Sequence, residues 1–255
     1  MIMHDYNKEG KKIVLLLHPM LANGRMMYDL IGQHLGNDVR CLAPDFKSHG
    51  EEVHLEYNNA DYEAEKINDY LLSNNIRHID LGYGASLGGV VLTQLIKYLK
   101  KSDITFGRLF FEGTSFFENA QFLTKIVGSK FVKKHNRAAA DRDRAIIIMG
   151  QLYGKERGEE FADQFISMSE ESIKNIAKSC GDNKHGELTK EEQRRCVFAY
   201  GSKDFNVLVA KRKCKKYYPE AKYITWAGYD HCEKITADKD EYARMIKDYL
   251  NSPLD

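Results

Sequence analysis

Apolar residues fall along the chain in two alternating rhythms. Short unbroken runs, Ile13 to Leu17, Val39 to Ala43 and Ile79 to Tyr83, then Arg108 to Glu112, Arg195 to Tyr200 and Tyr223 to Trp226, have the length and continuity of strands covered on both faces. Between them apolar positions recur three and four residues apart, as on one side of a helix. Met27, Leu30, Ile31 and Leu35 make one such set, Ala64, Ile67 and Leu71 a second, and the run from Val90 to Leu99 a third. A helix from Val207 to Tyr218 stops at Pro219, and Tyr242, Met245, Ile246, Tyr249 and Leu250 mark a closing one. This alternation predicts right-handed βαβ units and an α/β fold with a mostly parallel sheet flanked by helices. Ile2 to Asp5, set off by turn residues from Tyr6 to Gly10, predicts a short antiparallel edge strand. Pro44 to Asn59 reads as a long loop, with Asp61 capping the helix after it.

The alternation breaks between Ser115 and Thr189. Helical patterns follow one another there without a strand, at Phe117 to Val127, Arg137 to Tyr153, Glu159 to Ser167 and Ser169 to Ser179. An all-helical insertion in an α/β pattern predicts a cap over a site. No Pro/Ser-rich linker flanks it, which argues against an independent domain. Residues 1–114 and 190–255 are therefore expected to form the core, and residues 115–189 the cap. Most of the insertion's aromatic and methionine residues, such as Phe131, Tyr153, Phe161, Phe165 and Met168, must pack it onto the sheet. A few of them, near Met20, would suit an apolar acyl or alcohol group.

Charge narrows the partners. With 38 basic against 37 acidic residues in 255 and a formal charge of +1, the chain has no global field for a polyanion, so nucleic-acid binding is not expected. Lys211, Arg212, Lys213, Lys215 and Lys216 cluster at a spacing that reads as one solvated helix face. The five cysteines are scattered, without a C-x-x-C pair, and suggest neither a disulfide framework nor a zinc site. The first ten residues lack the apolar core of about 7–15 residues that a secretory signal needs, and no run has the length of a membrane span. A reduced, cytoplasmic protein is expected, with a small-molecule substrate as partner and a homodimer left open.

The chemistry-bearing stretch is Gly84-Ala85-Ser86-Leu87-Gly88, between a strand-like and a helix-like run. It fits G-x-S-x-G, in which a strand–turn–helix elbow lifts a serine hydroxyl to the end of the sheet. A glycine-rich helix start that binds phosphate is the other reading of the same residues. Ligands of open parallel sheets gather at the carboxyl ends of the strands. His18, Ser86, Asp204 and His231 all fall at such ends.

Ser86, Asp204, His231 is the chain order of the α/β-hydrolases, and the sequence resembles a cap-bearing member of that family from Ile13 to Leu250. The resemblance rests on Leu17-His18-Pro19-Met20, Asp45-Phe46-Lys47-Ser48-His49-Gly50, Gly84 to Gly89, Gly201-Ser202-Lys203-Asp204 and Gly228-Tyr229-Asp230-His231. It implies Ser86 as nucleophile, His231 as general base and Asp204 as the orienting carboxylate. It implies an oxyanion hole made by the backbone N–H groups of Met20 and Leu87, supported by His18, Gly84 and Gly88. Glu112, at another strand end, is a rival for the acid. Three departures stand out: Pro19 replaces the family's usual glycine after the histidine, Ser48 replaces a loop glycine, and one N-terminal strand is visible where two are common. His49 reads as structuring its loop, Asp230 as facing solvent or capping a turn, and His34, His54, His78, His135 and His185 as surface residues. The expected activity is hydrolysis of a carboxylic ester or thioester of a small, largely apolar substrate through an acyl-enzyme, without cofactor or metal. The same triad could serve an amidase, C–C hydrolase, lyase or acyltransferase, or survive in a non-catalytic ligand binder.

Overall fold

The unbroken apolar runs form the middle of a seven-stranded sheet in the computed structural model of the chain, which describes residues 1–253 apart from the side chains of Gln121 and Leu123. Its strands are β1 (Ile2–Tyr6), β2 (Lys12–Leu17), β3 (Val39–Asp45), β4 (His78–Ala85), β5 (Thr105–Glu112), β6 (Cys196–Gly201) and β7 (Lys222–Trp226), in the order β1-β3-β2-β4-β5-β6-β7. Only β1 runs antiparallel, against β3; the other pairings are parallel. A single strand thus precedes β2. The register sets Leu17 beside Gly84 and Ala85 beside Glu112, so β2, β4 and β5 end in line.

Successive side chains of a strand point to opposite faces, and each face has its own core. Leu15, Leu17, Leu109 and Phe111 point to the side covered by α2 (Ala60–Ser73), α3 (Leu87–Lys101) and α9 (Val207–Tyr217). Val14, Leu16, Tyr83 and Phe110 point to the side of α1 (Gly24–Leu30) and α11 (Lys239–Asn251), where Met27, Tyr242 and Ile246 close the layer. Five α-helices lie between β5 and β6: α4 (Gln121–Ala140), α5 (Arg142–Tyr153), α6 (Gly158–Ser167), α7 (Glu170–Gly181) and the short α8 (Lys190–Arg194). Their buried residues Phe161, Phe165, Ile173 and Ile176 join the core on the α2–α3 side. Another short helix, α10 (Lys234–Ala237), precedes α11.

Several boundaries differ from the pattern reading. Gly128 and Ser129 look like a helix end, yet α4 continues to Ala140 because Gly128 faces α7, where a β-carbon would lie 3.4 Å from that of Ala177. Asn59, not Asp61, caps α2, its side chain accepting from Tyr62 N at 2.8 Å. Pro44 belongs to β3; it lies beyond the last β2 pairing, at Leu42, and opposite Met3 of the edge strand, where a missing N–H is tolerated. His135 is buried, its Nε2 3.1 Å from Ile166 O, rather than on the surface.

Candidate active site

The turn from β4 into α3 stores strain at Ser86. Its φ of 49° and ψ of −108° lie where a residue with a side chain is disfavoured. The surrounding glycines make the turn possible. A β-carbon on Gly84 would come within 2.6 Å of Gly88 O, and one on Gly88 within 2.2 Å of Leu17 O. Ser86 is held there by its own N–H, which donates to Glu112 O at 2.7 Å. Its hydroxyl opens into a cavity of about 170 Å³.

Two distant segments reach it. His231 follows β7, and its Nε2 lies 2.8 Å from Ser86 Oγ. Asp204 follows β6, and its Oδ2 lies 2.7 Å from His231 Nδ1. The other Asp204 oxygen accepts from Asn206 N at 2.7 Å, so the carboxylate, 2% exposed, is fixed from both sides. Burial opposes protonation of His231, whereas Cys232 and Asp204 favour it, and its pKa is raised well above 6.5. Hydroxyl, imidazole and carboxylate therefore stand in one hydrogen-bonded line, along which the imidazole can take a proton from the hydroxyl while the carboxylate holds the resulting charge.

Glu112 does not join that line. Its Oε2 accepts from Trp226 Nε1 at 3.0 Å and Tyr242 Oη at 2.9 Å, and burial pushes its pKa up to about 7. Tyr83 extends the network through Tyr242, 3.0 Å away. These tyrosine and tryptophan contacts carry no signature in the sequence; a carboxylate at a strand end, inside an apolar core, was the only hint.

Met20 and Leu87, the expected backbone donors, both line the cavity. Leu87 is the first residue of α3, where N–H groups lack helical acceptors. Among the described residues neither N–H is engaged by the protein. His18 fixes the other one: its Nδ1 donates to Pro19 O at 2.8 Å, and because the peptide is trans and planar, the Met20 N–H points the opposite way. Its Nε2 accepts from Phe46 N at 3.1 Å. Burial, with His49 nearby, lowers the His18 pKa to about 3, so the ring stays neutral. His49, also kept neutral by burial, has Nε2 2.6 Å from Met20 O. Two imidazoles thus hold the Pro19-Met20 segment by its two carbonyls. Ser48 takes φ 68°, the left-handed region that a glycine would occupy without strain.

No protein-family model and no curated protein matches the sequence. Solved structures resemble it over nearly their whole length. A protein described as α/β hydrolase family, from Desulfitobacterium hafniense, superposes with a TM-score of 0.70 at 12% identity, covering 98% of this chain and 100% of that one. An esterase from Exiguobacterium antarcticum gives 0.73 at 14% identity, covering 98% and 95%, and MenH from S. aureus gives 0.69 at 18%, covering 97% of each. The chain has the α/β-hydrolase fold.

Within that fold the cleft is apolar. Val127 and Phe131 of α4, Tyr153, Phe161 and Ile173 line it opposite Ser86, and among the described residues His231 is the one ionisable group besides cysteine and tyrosine that lines it. Phe205, which the sequence reading passed over, tilts over His231 with ring centroids 5.7 Å apart. Asp230 is exposed and accepts from His231 N at 2.7 Å. His34, His54 and His78 are exposed, and His185 is half-buried beside Glu118. Away from the cleft, His4, Asp45 and Glu51 bring ligand atoms within 4.8 Å of one another. Asp45 already accepts from Gly24 N, Glu51 N and His4, so this trio ties β1 to the end of β3.

Proposed function

We propose that the chain is a serine hydrolase that cleaves carboxylic esters or thioesters of small, neutral, largely apolar substrates. The observation that carries this reading is the unbroken line from Ser86 through His231 to Asp204, with contacts of 2.8 and 2.7 Å, at the wall of a largely apolar cleft. Ser86 Oγ attacks the substrate carbonyl while His231 Nε2 takes its proton. The tetrahedral oxyanion is met by the N–H groups of Met20 and Leu87. His231 then returns the proton to the departing alcohol or thiol, leaving an ester on Ser86. Water, deprotonated by the same imidazole, attacks that ester and releases the acid. Asp204 is the orienting acid in this scheme, since Glu112, buried and held by Trp226 and Tyr242, is turned to other partners. Residues 115–189 act as a cap on a core of residues 1–114 and 190–255, and α4 to α7 from that cap supply the apolar wall.

The test is direct. Wild-type protein should take up a fluorophosphonate probe at Ser86, and Ser86→Ala should lower kcat on a short nitrophenyl ester by about 10⁴-fold. Near-normal hydrolysis by Ser86→Ala, or an unlabelled wild type, would overturn the proposal.

A further inference from the structure

Exposed large apolar side chains are unevenly placed on this surface. Among the described residues, all except Leu55 lie on α4, on α5 or on the segment that leads from β6 into α9. Phe122 and Leu208 are each 79% exposed, and Phe205, at the rim of the cleft, is 67% exposed. Such a concentration asks for a partner, where single exposed residues would not.

Helix geometry shows how the patch is organised. With about 3.6 residues per turn, Thr124, Val127 and Phe131 of α4 share the face that lines the cleft. Phe122, Ile126, Lys130, Lys133 and Arg137 fall on the opposite, exposed face. On α9, Leu208, Arg212 and Lys215 likewise share one exposed face. The starts of both helices adjoin cleft-lining residues, Thr124 on α4 and Phe205 and Asn206 just before α9, and each helix carries its exposed apolar residues, Phe122 and Ile126 or Leu208, in its first two turns with most of its cations beyond them. Consecutive helix α5 adds Ile147, Ile148 and Leu152, all exposed.

The charge on α4 and α9 is one-sided. α4 contains five basic residues and no acidic one, and so does α9, in a chain whose formal charge is only +1. Among the described residues none of the α4 cations has a carboxylate partner, and on α9 only Lys213 does, with Glu118 at 2.7 Å.

An apolar centre with a cationic surround is the arrangement by which a protein lies on an anionic bilayer: apolar side chains enter the acyl boundary while lysines and arginines meet the headgroups. We propose that the exposed outer face of α4, together with α5 and the start of α9, docks peripherally on anionic phospholipid. A two-fold contact between copies centred on α4 would set five cations against five, which disfavours self-association there. Among the described residues no helix is long and apolar enough to cross a membrane; the contact is one of surface to surface.

Sedimentation with vesicles tests this. The chain should pellet at least about tenfold more with vesicles of phosphatidylcholine containing phosphatidylglycerol than with phosphatidylcholine alone, and be released at about 1 M salt, where the Debye length is about 3 Å. The triple reversal Lys130→Glu, Lys133→Glu, Arg137→Glu should lower anionic-vesicle binding by about tenfold or more, as should Phe122→Ser with Leu208→Ser. Both variants change exposed side chains and should keep the parent melting temperature. Ser86→Ala should bind vesicles as the parent does, so loss of hydrolysis and loss of docking are separate results. Failure to pellet with anionic vesicles, equal binding to neutral ones, indifference to charge reversal, or a concentration-dependent dimer formed through this face would each overturn the proposal.

Discussion

His231 is pulled two ways. Burial disfavours its cation, Cys232 and Asp204 favour it, and the second influence prevails. The Cys232 thiol is itself pushed up by burial, which leaves it uncharged near neutrality and makes the Asp204 carboxylate the partner that decides the direction. A general base must be unprotonated, so kcat/KM should climb with pH, its midpoint lying above 6.5. Asp204→Asn removes the negative charge that stabilises the imidazolium. The midpoint should then move to lower pH, while the plateau falls by about 10⁴-fold. Initial rates across a pH series check both, and an unmoved midpoint would point away from Asp204. The meeting of Ser86, Asp204 and His231 was legible because each ends or follows a strand of a parallel sheet, and such ends share one edge. The bracing of Met20 by His18 and His49 was less so: which carbonyl an imidazole reaches depends on loop paths that no periodicity encodes.

The elbow is where local geometry and packing between elements meet. α3 starts so close to the end of β2 that a β-carbon on Gly88 would lie 2.2 Å from Leu17 O and 2.9 Å from His18 O. These are backbone atoms at the end of a central strand and cannot rotate away as a side chain could. Gly88→Ala should therefore cost about 2 kcal/mol or more in unfolding free energy and depress hydrolysis further by displacing the His18-Pro19-Met20 loop. Gly128→Ala is the matching control. Its nearest neighbour would be 3.4 Å away, an ordinary contact, and alanine is favoured over glycine inside a helix by about 1 kcal/mol. Urea midpoints should fall for the first and hold or rise for the second; the reverse order would refute the account. The same two glycines explain what the pattern revealed at this scale. G-x-S-x-G beside a strand and a helix marks its own turn, whereas an isolated helical glycine gives no sign whether it ends α4 or admits α7.

Taken as a whole, the molecule is unevenly cohesive. β4 and β5 are buried along nearly their full length and share two cores, one on each face. α4, by contrast, buries Gly128, His135 and Ala138 and little else among its described positions, with no basic residue of its outer face tied to a carboxylate. Sheet alternation made the first layer legible from sequence. The second could be read only as helical, because its order depends on which few residues touch the core. Local opening free energies follow buried apolar contact. Amides of α4 should consequently exchange with deuterium through a partial opening, at rates well above those of β4 and β5, which await global unfolding. A fluorophosphonate with a long alkyl tail, attached at Ser86, would fill the cleft between Thr124, Val127 and Phe131 and give α4 the apolar contact it lacks. Exchange in α4 should then slow by about tenfold or more while β4 and β5 hardly change. Equal protection of α4 and the sheet before labelling, or no slowing of α4 after it, would contradict this picture of a loosely held wall that the substrate's own apolar group completes.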